Sequence, residues 1–192
     1  MKYLPVLLFL SFSAFAQNKD LPYYEIQGYP ETYSAGTVAA RMIDGLGFRF
    51  YWATEGLRKS DLDYRPSIDA RTSWQTLDHI YEMSIIILNS TAGIANDSEP
   101  TATISFEEMR KNTLTNLKAA SDKLRVLPDS EMKNQKMIFK HGNKTAEFPF
   151  WSEISGPIED CIWHVGQVVS FRRASGNPFM DNVSLLTGKV IK

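Results

Sequence analysis

Apolar side chains recur at intervals of three and four along most of this chain, and that spacing calls for helices packed on helices. Ala39, Met42, Ile43, Leu46, Phe50, Ala53 and Leu57 share one continuous face of a helix that the pattern starts near Tyr33. Gly45 and Gly47 interrupt that helix, weaken it locally and mark the close approach of a neighbour. Residues 58–71 are polar, contain Pro66 and read as a loop. A second helix begins at Thr72 or Ser73, either of which can cap it, and runs to about Leu88. Its stripe of Trp74, Leu77, Tyr81, Ile85 and Leu88 is flanked by Ile80, Met83 and Ile87, so it is buried on more than one side. A third helix, over about 104–127, carries Phe106, Met109, Leu117, Ala120, Leu124 and Leu127 behind a start at Ser105-Phe-Glu-Glu.

Lys136 to Phe150 breaks the helical period. Two short runs, Met137-Ile-Phe-Lys140 and Thr145-Ala-Glu-Phe148, flank His141-Gly-Asn-Lys144, which reads as a β-hairpin with glycine where positive φ is needed. The fourth long helix is expected after Gly156, with Pro157 near its start. It closes on Arg172 and Arg173, with Gly176 and Pro178 just beyond. The expected fold is therefore mainly all-α, a four-helix bundle over residues 33–180 with a small hairpin before the last helix. An irregular arm over 17–32 precedes it and a tail over 181–192 follows.

The first sixteen residues read as a cleavable signal peptide. Met1 and Lys2 give a positive start, Tyr3 to Phe12 an apolar run, and Ala14-Phe-Ala16 the small-x-small pattern before polar Gln17. The run falls short of the roughly 20 apolar residues that a membrane-spanning helix needs. Cleavage near Ala16/Gln17 would deliver a periplasmic or secreted protein of 176 residues, with no membrane insertion after processing. Loss of Lys2 leaves 20 basic against 22 acidic residues, a charge of −2 that gives no reason to expect nucleic acid as a partner. The single cysteine, Cys161, excludes an internal disulfide, so stability must come from the core.

Only three histidines occur, at 79, 141 and 164. His141 falls in the hairpin turn. His79 lies inside the second helix and His164 inside the fourth, one turn after Asp160. An i, i+4 pair projects from one face, so Asp160 and His164 can reach a common ion, and His79 from a facing helix can complete the set. The plainer alternative is a local Asp160–His164 pair with His79 a satisfied core residue. Cys161 is better placed as a small core residue than as a thiolate ligand. Trp151 and Trp163 read as core or pocket walls. Arg172 and Arg173 complement the helix dipole, with anion binding the lesser alternative.

The segment Asp160-Cys-Ile-Trp-His164-Val-Gly-Gln167, continuing through Arg172-Arg-Ala-Ser-Gly-Asn-Pro178, resembles the last helix of the DinB/YfiT-like superfamily. Trp74-Gln-Thr-Leu-Asp-His79-Ile resembles that family's second-helix motif, and the likeness spans about residues 35–180. The resemblance implies a divalent metal ion held by His79, Asp160 and His164, with Gln167 orienting a ligand. Asp160 departs from the family pattern, which has histidine there. Two histidines and a carboxylate remain a competent set for zinc with an open position, for ferrous iron or manganese, and for nickel. The implied activity on an unidentified small-molecule substrate is hydrolysis or thiol transfer. Export favours hydrolysis, because low-molecular-weight thiols are mainly cytoplasmic. The alternative is an exported binding or scaffold protein whose metal site has degenerated. Bundles of this kind commonly dimerise through an outer face, so a homodimer is also expected.

Overall fold

Three hydroxyl side chains set where three of the long helices start. Ser34 accepts from the Thr37 N–H at 3.1 Å while the Thr37 hydroxyl accepts from the Ser34 N–H at 2.8 Å, a reciprocal cap opening α1, Ala35–Thr54. After a one-turn α2, Lys59–Leu62, Thr72 and Gln75 make the same exchange before α3, Ser73–Ser90. Strand β1, Ala95–Asp97, follows, and Ser105 caps α4, Phe106–Arg125, by accepting from the Glu108 N–H. Glu107 and Glu108 at its start and Lys123 and Arg125 at its end complement the helix dipole. The computed structural model describes residues 21–97 and 104–191. The expected leader and the Ala16/Gln17 cleavage point lie outside the described residues. Among those described, no helix is long and apolar enough to cross a membrane.

The chain is mainly helical with a small sheet. A single turn, α5 (Asp129–Met132), leads into β2 (Lys136–His141) and β3 (Lys144–Pro149), antiparallel strands joined through Gly142 at φ 56°. β1 adds to β2 in parallel, Ala95 opposite Ile138. Nothing in the sequence announced β1, because three residues are too few to show a period. The turn α6, Phe150–Glu153, follows, and residues 154–158 lead through a kink into α7, Glu159–Ala174. The start expected after Gly156 agrees with this break. Gly156, at φ −98°, ψ −106°, is not helical: it kinks the chain between two helical pieces, and Pro157 stands in the first turn beyond the kink, where its missing N–H costs little.

α1 packs against α4 and α7, and α3 packs against the same two helices. Between them lie Ile43, Leu46, Tyr51, Trp52, Leu77, Ile80, Ile87, Leu114, Leu117, Ile158, Cys161 and Val168, all at most 1% exposed. The arm runs along α1 and meets the tail there. Tyr23 is buried, its ring lies on Gly47 and its hydroxyl donates to Asp44 at 3.2 Å. Ile26 is buried against Gly188, in the turn between β4 (Val183–Ser184) and β5 (Lys189–Val190), and its N–H donates to the Gly188 carbonyl at 2.9 Å. Gly47 thus marks a close approach as expected. Gly45 does not: a Cβ there would meet only the mobile end of Arg49.

Candidate metal centre

Two adjacent stripes on α7 face different surroundings. Cys161, Val165, Val168 and Arg172 are buried in the interior, while Asp160, His164, Gln167 and Phe171, each one position earlier, open onto a cleft. One residue is a rotation of about 100° on a helix, so the same spacing serves both core and cleft. α3 is split likewise, with Leu77 and Ile80 inward and Thr76 and His79 toward the cleft. The packing of α3 on α7 brings these two cleft stripes together.

His79 Nε2 lies 3.0 Å from Asp160 Oδ2, and His164 Nε2 lies 3.5 Å from the same oxygen. Donor atoms of all three residues fall within 4.8 Å of one another. Ligands on a tetrahedral ion with bonds of about 2.1 Å stand about 3.4 Å apart, so the group is within small rotamer adjustments of coordination distance. The imidazoles meet edge to face, ring centroids 4.9 Å apart, and each is partly exposed. The three residues singled out by spacing therefore do converge.

Gln167 Oε1 lies 2.8 Å from His164 Nδ1. With that carbonyl oxygen accepting, the proton sits on Nδ1 and Nε2 keeps its lone pair toward Asp160 and His79. The other candidates fall elsewhere. His141 is exposed in the hairpin turn. Cys161 is buried against the Ile80 carbonyl, and burial, then the charges of Asp160 and Glu153, push its thiol far above the ordinary value. Its sulfur stands apart from the three converging side chains. Trp151 is 78% exposed and Trp163 is 72% exposed, so neither is core; Trp151 takes the pocket-wall alternative, lining an apolar depression with Tyr33, Met42 and Phe150.

Arg172 departs most from expectation. It is buried, and its guanidinium donates to the Trp52 and Ala53 carbonyls at 3.1 and 2.9 Å and to Asn177 O at 2.8 Å. It therefore satisfies the open C-terminal carbonyls of α1 rather than facing a ligand. Arg173 is exposed and lines a separate depression.

The cleft has a volume of about 650 Å³ and is walled by Pro66, Ala70, Arg71, Thr76 and Phe171 above the three ligand residues and Gln167. Sequence reasoning missed Arg71 and Phe171. Phe171 simply extends the 160, 164, 167 spacing by one more turn and was open to detection. Arg71 sits in the loop before the cap of α3, where no periodicity operates.

Two imidazoles and one carboxylate supply nitrogen and oxygen donors, leave part of a four-coordinate sphere open, and suit zinc, nickel, ferrous iron or manganese. No protein-family model, curated protein or solved structure matches this chain.

Proposed function

We propose that this chain is an exported metal-dependent enzyme of the DinB/YfiT-like type, hydrolysing a small molecule at a site where His79, Asp160 and His164 hold one divalent ion. The observation that carries the reading is the meeting of these three side chains, from two helices, at the floor of an open cleft. The pairwise contacts among the four long helices support a four-helix bundle. The motif from Asp160 to Gln167 supports the family, and the leader-like residues 1–16 support export. When bound, a divalent ion supplies Lewis acidity and draws the pKa of water toward neutrality. The chain's own residues do the rest. Asp160 offsets part of the cation's charge, Gln167 holds His164 in the tautomer that presents Nε2, and the cleft leaves one side of the set accessible. Separation from cytoplasmic thiols favours hydrolysis over thiol transfer.

Zinc titrated by calorimetry into the wild type, Asp160→Ala and Asp160→His tests this reading. The wild type should bind one equivalent, the Ala variant much more weakly, and the His variant at least as tightly as the wild type. The scaffold alternative predicts no binding to any of the three. Asp160 would then be only a helix-face partner of His164, its loss changing stability by about 0.2–0.5 kcal/mol.

A further inference from the structure

The cleft above His79, Asp160 and His164 contains one permanently cationic side chain, Arg71. Most arginines of this protein spend their guanidinium groups internally. Arg58 binds Asp61, Arg110 binds Glu55, Arg125 binds Asp44, and Arg172 binds backbone carbonyls. Arg49 and Arg65 donate to carbonyls near them in sequence, and Arg41 to the Gln27 carbonyl of the arm. Among the described arginines only Arg71 and Arg173 have neither an ion-pair nor a hydrogen-bond partner. Of these two, only Arg71 opens onto the cleft; Arg173 lies in the separate depression beside Val169 and Phe179.

An exposed arginine alone means little. What distinguishes Arg71 is its place on the wall of a concave cleft whose floor already carries a candidate cation site. Two neutral imidazoles and one carboxylate around a divalent ion leave a net positive charge on the floor, and Arg71 adds a second positive centre at the wall. The remaining walls are short or apolar, with Pro66, Ala70 and Phe171, the last ring braced by Tyr64 at 5.9 Å between centroids. A planar guanidinium with free donors pairs with a carboxylate or phosphate through two parallel hydrogen bonds.

We propose that Arg71 recognises an anionic group on the substrate, so that this site takes a small carboxylate or phosphate compound. The anionic group sits on Arg71, the apolar body lies against Phe171 and Pro66, and the reacting end reaches the His79–Asp160–His164 group. This rests on the metal-centre reading above.

The test uses the whole chain loaded with zinc, with zinc content measured on each sample. Inorganic phosphate and succinate are titrated separately into the wild type, Arg71→Ala, Arg71→Lys and Arg173→Ala. At least one anion should bind the wild type, roughly tenfold or more tighter than it binds Arg71→Ala. The Lys variant should fall between, because it keeps the charge and loses the fork, and Arg173→Ala should match the wild type. Which of the two anions binds names the headgroup. Zinc-loaded wild type that binds neither anion, or binds one no better than zinc-loaded Arg71→Ala does, overturns the role of Arg71 and leaves the metal centre standing. Wild type that takes up no zinc overturns the metal centre itself, and this proposal with it.

Discussion

Gln167 is the residue whose role depends most on a single contact. Its carbonyl oxygen is 2.8 Å from His164 Nδ1, and it is partly exposed at the cleft edge, so it contributes little to packing. A partner of this kind fixes a ligand's tautomer and ring orientation, and its loss typically weakens metal affinity 10–100-fold. Gln167→Ala should show that loss in a chelator-competition assay with zinc, with an unchanged unfolding midpoint in the metal-free protein. Gln167→Glu should retain affinity, because a carboxylate accepts the same Nδ1 proton. Histidine scarcity and helical spacing made His79, Asp160, His164 and Gln167 legible as a set. Arg172 was not legible: its partners, the Trp52 and Ala53 carbonyls, lie about 120 residues away in sequence. A cation in a last helical turn looks the same whether it faces water or caps another helix.

Among the elements, α1 shows how two similar glycines do opposite work. A Cβ at Gly47 would press into the Tyr23 ring at under 3.0 Å, and that ring is held by burial and by its hydrogen bond to Asp44. Tyr23 is also the one non-glycine residue at positive φ among those described, at 72°, so its backbone has little freedom to yield. A Cβ at Gly45 would lie 3.2 Å from Arg49 Nη1, the far end of a flexible side chain. Alanine gains about 0.8–1.0 kcal/mol over glycine inside a helix, while overpacking costs about 1–3 kcal/mol. The gain should win at Gly45 and the clash at Gly47. Gly45→Ala should therefore raise stability by about 0.5–1 kcal/mol, and Gly47→Ala should lower it by about 1 kcal/mol or more in denaturant titrations. The starts of α3 and α4 were readable from Thr72 and Ser105, because capping is a local event. The start of the last helix was readable too, from Gly156 and from Pro157 just beyond it. The separate turn at Phe150–Glu153 was not, because it depends on packing against α3 and β2.

At the scale of the whole molecule, the helical character and the hairpin were legible because each depends on periodicity or turn chemistry within about twenty residues. The parallel pairing of β1 and the burial of the arm under the tail hairpin depend on partners distant in sequence, and no local pattern encodes them. Stability of the whole also carries a pH dependence set by two buried carboxyl groups of opposite tendency. Burial pushes the Asp61 carboxyl up, but hydrogen bonds from Arg58, Ser175 and Asn177 outweigh that and hold it below the usual carboxylate range. Its stabilisation is present above the unfolded pKa near 3.8 and is lost as pH falls toward the folded value. Glu153 behaves in the opposite sense. It is fully buried, neither oxygen has a well-formed hydrogen-bond partner among the described residues, and burial raises its carboxyl to about 7, with only a smaller opposing pull from Ser90. Below about pH 4.5 the group is protonated in both folded and unfolded chains. Between 4.5 and 7 the unfolded chain gives up the proton while the folded chain keeps it, so the folded state holds more protons and stability falls as pH rises. At 1.36 kcal/mol per pKa unit, the loss across that window is on the order of 3 kcal/mol. Glu153→Gln removes the titration. The glutamine amide introduces its own desolvation cost, which displaces the whole stability curve without giving it a slope. Urea unfolding of both proteins at several values between pH 4.5 and 8 should therefore give a wild-type minus variant difference that grows more negative with pH and levels off above about 7.5. A difference that stays constant across the window would mean that Glu153 ionises freely and that its surroundings admit water.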